Sequence, residues 1–215
     1  MSDPDPRRAL EQYRRHAPGY DASARRTMGL RRRAIDWLEL APGECVLDVA
    51  CGTGLSLPLL AERVGAAGRV VGVELSPEMT QLARARAVHL PQVRLIEAAM
   101  EDAVLEETFD AVLFNYTHDV LQSPGALANI FACVRPGARV VAAGVKYPPA
   151  WLFPLRLWRR WNARPYMTTF RGLERPWAPL ERYVEGIQVQ PTLLGTNYIA
   201  RARAGAAGCS SRIDA

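Results

Sequence analysis

Cys45-Val46-Leu47-Asp48-Val49-Ala50-Cys51-Gly52-Thr53-Gly54 is the stretch from which the fold of this chain can be read. Its first six residues form an apolar run broken by one acid, short enough for a strand buried on both faces. The last three make a glycine-rich bend. Leu57 to Val64 then follows helical spacing and is stopped by Gly65 and Gly68. Strand, bend and helix in that order present bare backbone and unpaired N–H donors to a ligand. Glu74 closes the next apolar run, Arg69 to Glu74. It lies about twenty residues beyond Gly54, where an acid grips ribose hydroxyls in nucleotide-binding sheets.

Two features argue against a dinucleotide. The third glycine of a GxGxxG turn is replaced by Leu57, so the close helix approach that favours pyrophosphate is lost. Asp48 also places a carboxylate just before the bend. That charge repels a phosphate but suits a cationic amino group.

Working outward, Ser76-Pro77-Glu78-Met79 opens a second helix, with Ser76 as N-cap and Pro77 in the first turn. Val93 to Glu97 and Phe109 to Asn115 are predicted as strands three and four. A helix from Pro124 to Val134 ends at Arg135-Pro136-Gly137, and Ala138 to Ala143 is the fifth strand. Strand–helix alternation with near-continuous apolar runs predicts a parallel sheet covered by helices on both faces. Ile187 to Val189 and Asn197 to Ala202 are expected to close it. The expected organisation is helices over 1–40 with a break at Ala17-Pro18-Gly19, a cofactor-binding core over 41–146, an aromatic and arginine-rich insertion over 147–184, closing strands over 185–203 and a tail over 204–215.

The chain has 215 residues, of which 49% are hydrophobic, so a sizeable core is within reach without metal or disulfide staples. No run approaches the roughly 20 apolar residues of a membrane span. The polar Met1-Ser2-Asp3-Pro4-Asp5-Pro6 does not read as a secretory signal, and cytoplasmic residence is the expectation. The four cysteines (Cys45, Cys51, Cys133, Cys209) match neither a zinc pattern nor a redox pair and are expected as structural thiols; no metal site is expected. A net charge of +5 invites a nucleic-acid partner, but all basic residues except Lys146 are arginines, scattered along the chain with no recognition motif. No nucleic-acid partner is expected.

Val46 to Gly54 resembles motif I of the class I S-adenosylmethionine-dependent methyltransferases, and the likeness extends unevenly over about residues 20–203. The resemblance implies a Rossmann-like α/β fold: a doubly wound, mostly parallel seven-stranded sheet with helices on both faces. It implies S-adenosyl-L-methionine as cofactor, with Asp48, Ala50, Gly52 and Gly54 at its methionine end, Glu74 on the ribose diol, and Leu75 and Met79 beside the adenine. Ala99-Met100-Glu101 falls where the family surrounds the adenine. Asn115-Tyr116-Thr117-His118 falls where it faces the transferable methyl, making Asn115, Tyr116 and His118 the catalytic candidates. Tyr20, in the pair Tyr20-Asp21, would bring an N-terminal helix over the cofactor.

Each residue also has a plainer reading. Gly52 and Gly54 serve any tight turn, and Glu101 beside Asp102 suits an exposed helix start. Asn115 and Tyr116 could cap a strand. His118 could take a proton from a hydroxyl, thiol or phenol at physiological pH, or could cap the helix near Asp119. The segment is not the NPPY signature of base and glutamine methyltransferases. In the insertion, Trp151, Leu155 and Trp158 share a helical face away from Arg156, Arg159 and Arg160, and Tyr166, Phe170, Trp177 and Tyr183 add rings. An aromatic or apolar pocket for a small-molecule acceptor is the leading expectation. Packing on the sheet and docking on a membrane surface are the alternatives.

Methyl transfer from a sulfonium is an in-line displacement, so a catalytic triad is not required. Three other functions share the motif: intramolecular cyclisation of the cofactor's aminobutyrate arm, RNA methylation, and cofactor binding without catalysis. The acceptor and the oligomeric state are left open by the residues.

Overall fold

A computed structural model describes residues 27–148 and 168–206, with Leu10, Asp21, Leu152 and Phe153. Strands β1 (Cys45–Val49), β2 (Arg69–Glu74), β3 (Val93–Glu97), β4 (Phe109–Asn115) and β5 (Val134–Val145) run parallel. Strands β6 (Val184–Thr192) and β7 (Asn197–Ala204) complete a seven-stranded sheet of order β3-β2-β1-β4-β5-β7-β6, in which β7 is antiparallel to both neighbours. Among the described residues no helix is long and apolar enough to cross a membrane.

The centre of the sheet is buried on both faces, which is why β1, β2, β4 and the end of β5 read as near-continuous apolar runs. Along β4, Val112 and Phe114 enter one core cluster while Ala111 and Leu113 enter the other; along β5, Val140 and Ala142 face opposite to Val141 and Ala143. Each pleat therefore feeds two apolar layers. Helix α1 (Met28–Asp36) packs against β4 and β5, burying Ala34, Ile35 and the following Leu38. Helix α2 (Leu57–Val64) ends where the sequence predicts, at Gly65 with φ +66°. Helix α3 (Pro77–Ala87) is capped by Ser76, whose side chain accepts from Met79 N–H at 3.3 Å. Short helix α4 (His118–Leu121) and helix α5 (Pro124–Phe131) follow β4, and Ser123 caps α5 in the same way.

Several boundaries differ from expectation. β1 ends at Val49 because Ala50 turns into the left-handed region, φ +48°. α5 ends at Phe131, and β5 starts before Pro136-Gly137, since Phe109 N–H already donates to Cys133 O and Phe109 pairs with Val134; Gly137, φ +78°, absorbs the register shift that follows. β6 and β7 outrun the expected closing strands. β6 is an edge strand whose apolar alternation is confined to Ile187 and Val189, with a register shift between Glu185 and Gln188. The break at residues 17–19 and the Trp151-Leu155-Trp158 face lie outside the described residues.

Candidate cofactor and acceptor site

β1 lies between β2 and β4, so successive connections leave it in opposite directions and open a crevice at the carboxyl ends of β1 and β4. The bend after β1 enters this crevice with Ala50 at φ +48°, Gly52 at +60° and Gly54 at +79°. Cys51 N–H donates to Val73 O at 2.9 Å, tying the bend to β2. Glu74, 5% exposed, accepts from Gly52 N–H through Oε2 and from Ser76 N–H through Oε1, both at 2.9 Å. Each oxygen keeps lone pairs for further donors. Burial raises its pKa, and the backbone donors oppose the rise. Asp21 braces the bend from outside: its Oδ1 accepts from Thr53 Oγ1 and its Oδ2 from Arg86 Nη2, each at 2.6 Å.

Beneath the bend, Asp48 is buried and its pKa is pushed up to about 7, first by desolvation and then by the charge of Glu74, against the pull of Arg31. Arg31 Nη1 donates to Ser56 Oγ at 2.6 Å, and Ser56 hydrogen-bonds Asp48. Arg31 Nε and Asp48 Oδ2 are both buried with no partner among the described residues.

A cavity of about 690 Å³ fills the crevice. Ala50, Gly52, Glu74, Leu75, Met79, Met100, Glu101, Asn115, Tyr116 and His118 all line it. Asp48 and Gly54 do not. Asp48 lies behind the wall, and a Cβ on Gly54 would fall 2.7 Å from Leu57 Cδ1 and 3.1 Å from Ala83 Cα, so that glycine packs the bend onto α2 and α3. Tyr20 lies outside the described residues. Cys51 is on the cavity wall, buried, its thiol pKa raised well above normal by desolvation and by Asp48 and Glu74.

The end of β4 carries unusual chemistry. Both polar atoms of the Asn115 side chain are buried without a partner among the described residues, although native buried amides are nearly always paired. Tyr116 adopts φ +62°, costly for an aromatic residue; its phenol oxygen accepts from Asn197 Nδ2 at 2.7 Å. His118 is 7% exposed, and desolvation lowers its pKa despite the charge of Asp119 and the hydrogen bond to Arg171. Its Nε2 lies 2.9 Å from Arg171 O, while Nδ1 has no partner among the described residues.

Sequence reasoning missed several wall residues: Arg31, Asp119, Gln122, Arg171, Pro179 and Arg182. Arg31 left a signal, since Arg31, Ala34, Ile35 and Leu38 share one helical face, which separates it from exposed Arg32 and Arg33. Within the expected insertion, Tyr183 lines the cavity and stacks on Phe131 at 4.6 Å, whereas buried Trp177 packs on Tyr198 at 5.0 Å.

A carboxylate with spare lone pairs at the close of β2, beside a buried acid and guanidinium instead of a phosphate-binding turn, makes a pocket for an adenosyl ligand with an amino-acid arm. A methyltransferase-domain family profile matches residues 46–137. Over 191 residues the chain is 31% identical to 2-phytyl-1,4-naphtoquinone methyltransferase of Thermosynechococcus vestitus, covering 84% of each protein. It is 35% identical over 142 residues to ribosomal protein L11 methyltransferase of Cupriavidus necator, covering 60% of this chain and 44% of that one. The fold matches N-methyltransferase NodS of Bradyrhizobium japonicum, solved with S-adenosyl-l-homocysteine, with a TM-score of 0.60 at 17% identity, over 81% of this chain and 85% of that one. The chain belongs to the class I S-adenosylmethionine-dependent methyltransferases, enzymes whose cofactor is S-adenosylmethionine.

Proposed function

We propose that the acceptor is a small, flat, largely apolar molecule, a hydroxylated aromatic ring of quinol type. One observation carries this reading: the cavity wall includes the apolar group Leu121, Pro124, Leu127, Ala178, Pro179 and Tyr183, with Asp119, Gln122, Arg171 and Arg182 at its polar positions. The apolar group rewards burial of a ring at about 25 cal/mol per Å². The naphtoquinone methyltransferase, matched along most of its length, supports the same class.

At the cofactor end, the free lone pairs of Glu74 are assigned to the ribose diol. Arg31 pairs with the carboxylate of the methionine arm, and Asp48 complements its ammonium through the bend. Leu75, Met79 and Met100 flank the adenine, Glu101 lies at its edge, and Ala50, Gly52 and Gly54 shape the bend. The orphaned atoms of Arg31, Asp48 and Asn115 fit a ligand that brings both donors and acceptors. S-adenosylmethionine supplies an electrophilic methyl group on a sulfonium. The chain's own residues orient the acceptor and deprotonate it. Asn115 offers a donor and an acceptor to cofactor and ring, Tyr116 borders the methyl, and Nδ1 of His118 takes a phenolic proton.

The test is incubation of the full chain with S-adenosylmethionine and either a reduced 1,4-naphthoquinone or ribosomal protein L11. A one-methyl mass gain on the quinol, with S-adenosylhomocysteine formed, is expected. Methylation of L11 in place of the quinol, or release of methylthioadenosine, overturns the reading.

A further inference from the structure

We propose that Asp119 is a positioning residue which, by fastening the segment 168–176 to the helix that carries His118, determines which nitrogen of that imidazole is free to accept a proton. This rests on the reading of His118 as the base.

The geometry is a strap held on both sides of one carbonyl. Asp119 Oδ2 accepts from Thr168 N–H at 2.8 Å and from Thr168 Oγ1 at 2.6 Å, and Oδ1 accepts from Thr169 N–H at 3.4 Å. Thr169 Oγ1 accepts from Arg171 N–H at 3.2 Å. Further along, Gln122 Nε2 donates to Pro176 O at 3.2 Å. Gly172, at φ +73°, brings its backbone so near that a Cβ would lie 2.8 Å from Gln122 Oε1. Between these fastenings lies the Arg171 carbonyl, 2.9 Å from His118 Nε2. A carbonyl only accepts, so the neutral imidazole carries its hydrogen on Nε2 and leaves the lone pair on Nδ1, the atom with no partner among the described residues. Loosening the strap removes that selection.

Among the described residues, the charged and titratable groups that share the cavity wall with the imidazole are Asp119 on its own helix, and Arg171, Arg182 and Tyr183 from the segment after residue 168. From other elements come Arg31 on α1, Cys51 in the bend, Glu74 at the end of β2, Glu101, and Tyr116 after β4. Burial depresses the imidazole pKa, while the Asp119 charge and the Arg171 carbonyl raise it. Loss of the Asp119 charge therefore moves the titration to lower pH.

The experiment is nitrogen-15 histidine NMR of the full chain saturated with S-adenosylhomocysteine, with the His118 signals identified from a His118→Gln variant. Wild type is expected to show one tautomer, hydrogen on Nε2. Asp119→Asn is expected to show mixed tautomers and a midpoint at lower pH. An unchanged tautomer and midpoint in Asp119→Asn, or hydrogen on Nδ1 in wild type, overturns the proposal. Should Asp119→Asn fail to fold, Thr168→Val, which removes the hydroxyl donor and keeps the charge, decides by the tautomer alone: a mixture is expected, and a single Nε2–H form overturns the proposal. The measurement needs neither acceptor nor turnover. Separately, His118→Gln turnover that keeps the wild-type pH profile removes the base reading and leaves the tautomer result standing.

Discussion

Asp48 is an acid whose native environment favours its neutral form, with a pKa of about 7 against an ordinary 3.8. The folded state therefore holds this proton more tightly than the unfolded chain. Its contribution to stability is complete below pH 3.8 and falls as pH rises through 7. Asp48→Asn, which cannot ionise, should match wild type in melting temperature near pH 4 and exceed it increasingly up to pH 8. The cofactor's ammonium calls for the opposite, ionised form. Binding of S-adenosylhomocysteine below pH 7 should therefore release a proton and weaken toward tenfold per pH unit, and Asp48→Asn should flatten that slope. Calorimetry between pH 5.5 and 8 measures it, and a pH-independent affinity in wild type counts against the assignment. The places of Asp48 within β1 and of Glu74 at the close of β2 were legible from the sequence. Arg31 was not, because a run of three arginines says nothing of which one turns inward until the helix face is drawn.

At the scale of elements, the bend is held by packing as much as by hydrogen bonds. Gly54→Ala would bring a methyl within 2.7 Å of Leu57 Cδ1 and 3.1 Å of the Ala83 backbone, at φ +79°. Overpacking and a left-handed alanine together should cost about 2–4 kcal/mol. Chemical denaturation should show this as a lower midpoint with an unchanged slope, and a loss under about 1 kcal/mol would mean that α2 and α3 move apart at little cost. Strands β1 to β4 were readable within a residue: β1, β2 and β4 because two-sided burial writes itself as a near-continuous apolar run, and β3, a partly buried edge, by Val93, Leu95 and Ile96. β6 was not, since an edge strand with one wet face and a bulge keeps little of that pattern. The segment 168–176 had no period to read: it is held by carbonyls and short polar side chains, which satisfy hydrogen bonds in any order of residues.

For the molecule as a whole, the order β3-β2-β1-β4-β5-β7-β6 places the ends of β1, β2 and β4 around one crevice, so cofactor binding draws on several elements at once. A ligand that binds only the folded state stabilises it by about 2.7 kcal/mol at a hundredfold excess over its dissociation constant. For a chain of this size that is a rise of ~5–10 °C in melting temperature, readable by differential scanning with S-adenosylhomocysteine. No rise would argue against the pocket. A parallel sheet covered by helices was legible because strand–helix alternation admits few connections, while the doubly wound, seven-stranded form was what the family resemblance implied. Tyr183 on the cavity wall was among the rings the sequence offered; Leu121 and Pro179 were not, because they meet it only once the chain has folded.

An enzyme that stores an alkylating reagent must survive it. Sulfur is the most readily alkylated atom a side chain offers, and only its thiolate reacts quickly. Cys51 belongs to the cavity wall, yet desolvation and the carboxylates of Asp48 and Glu74 keep its proton in place. The burial and acidic surroundings of the crevice thus favour the protonated, unreactive form of a thiol on its wall.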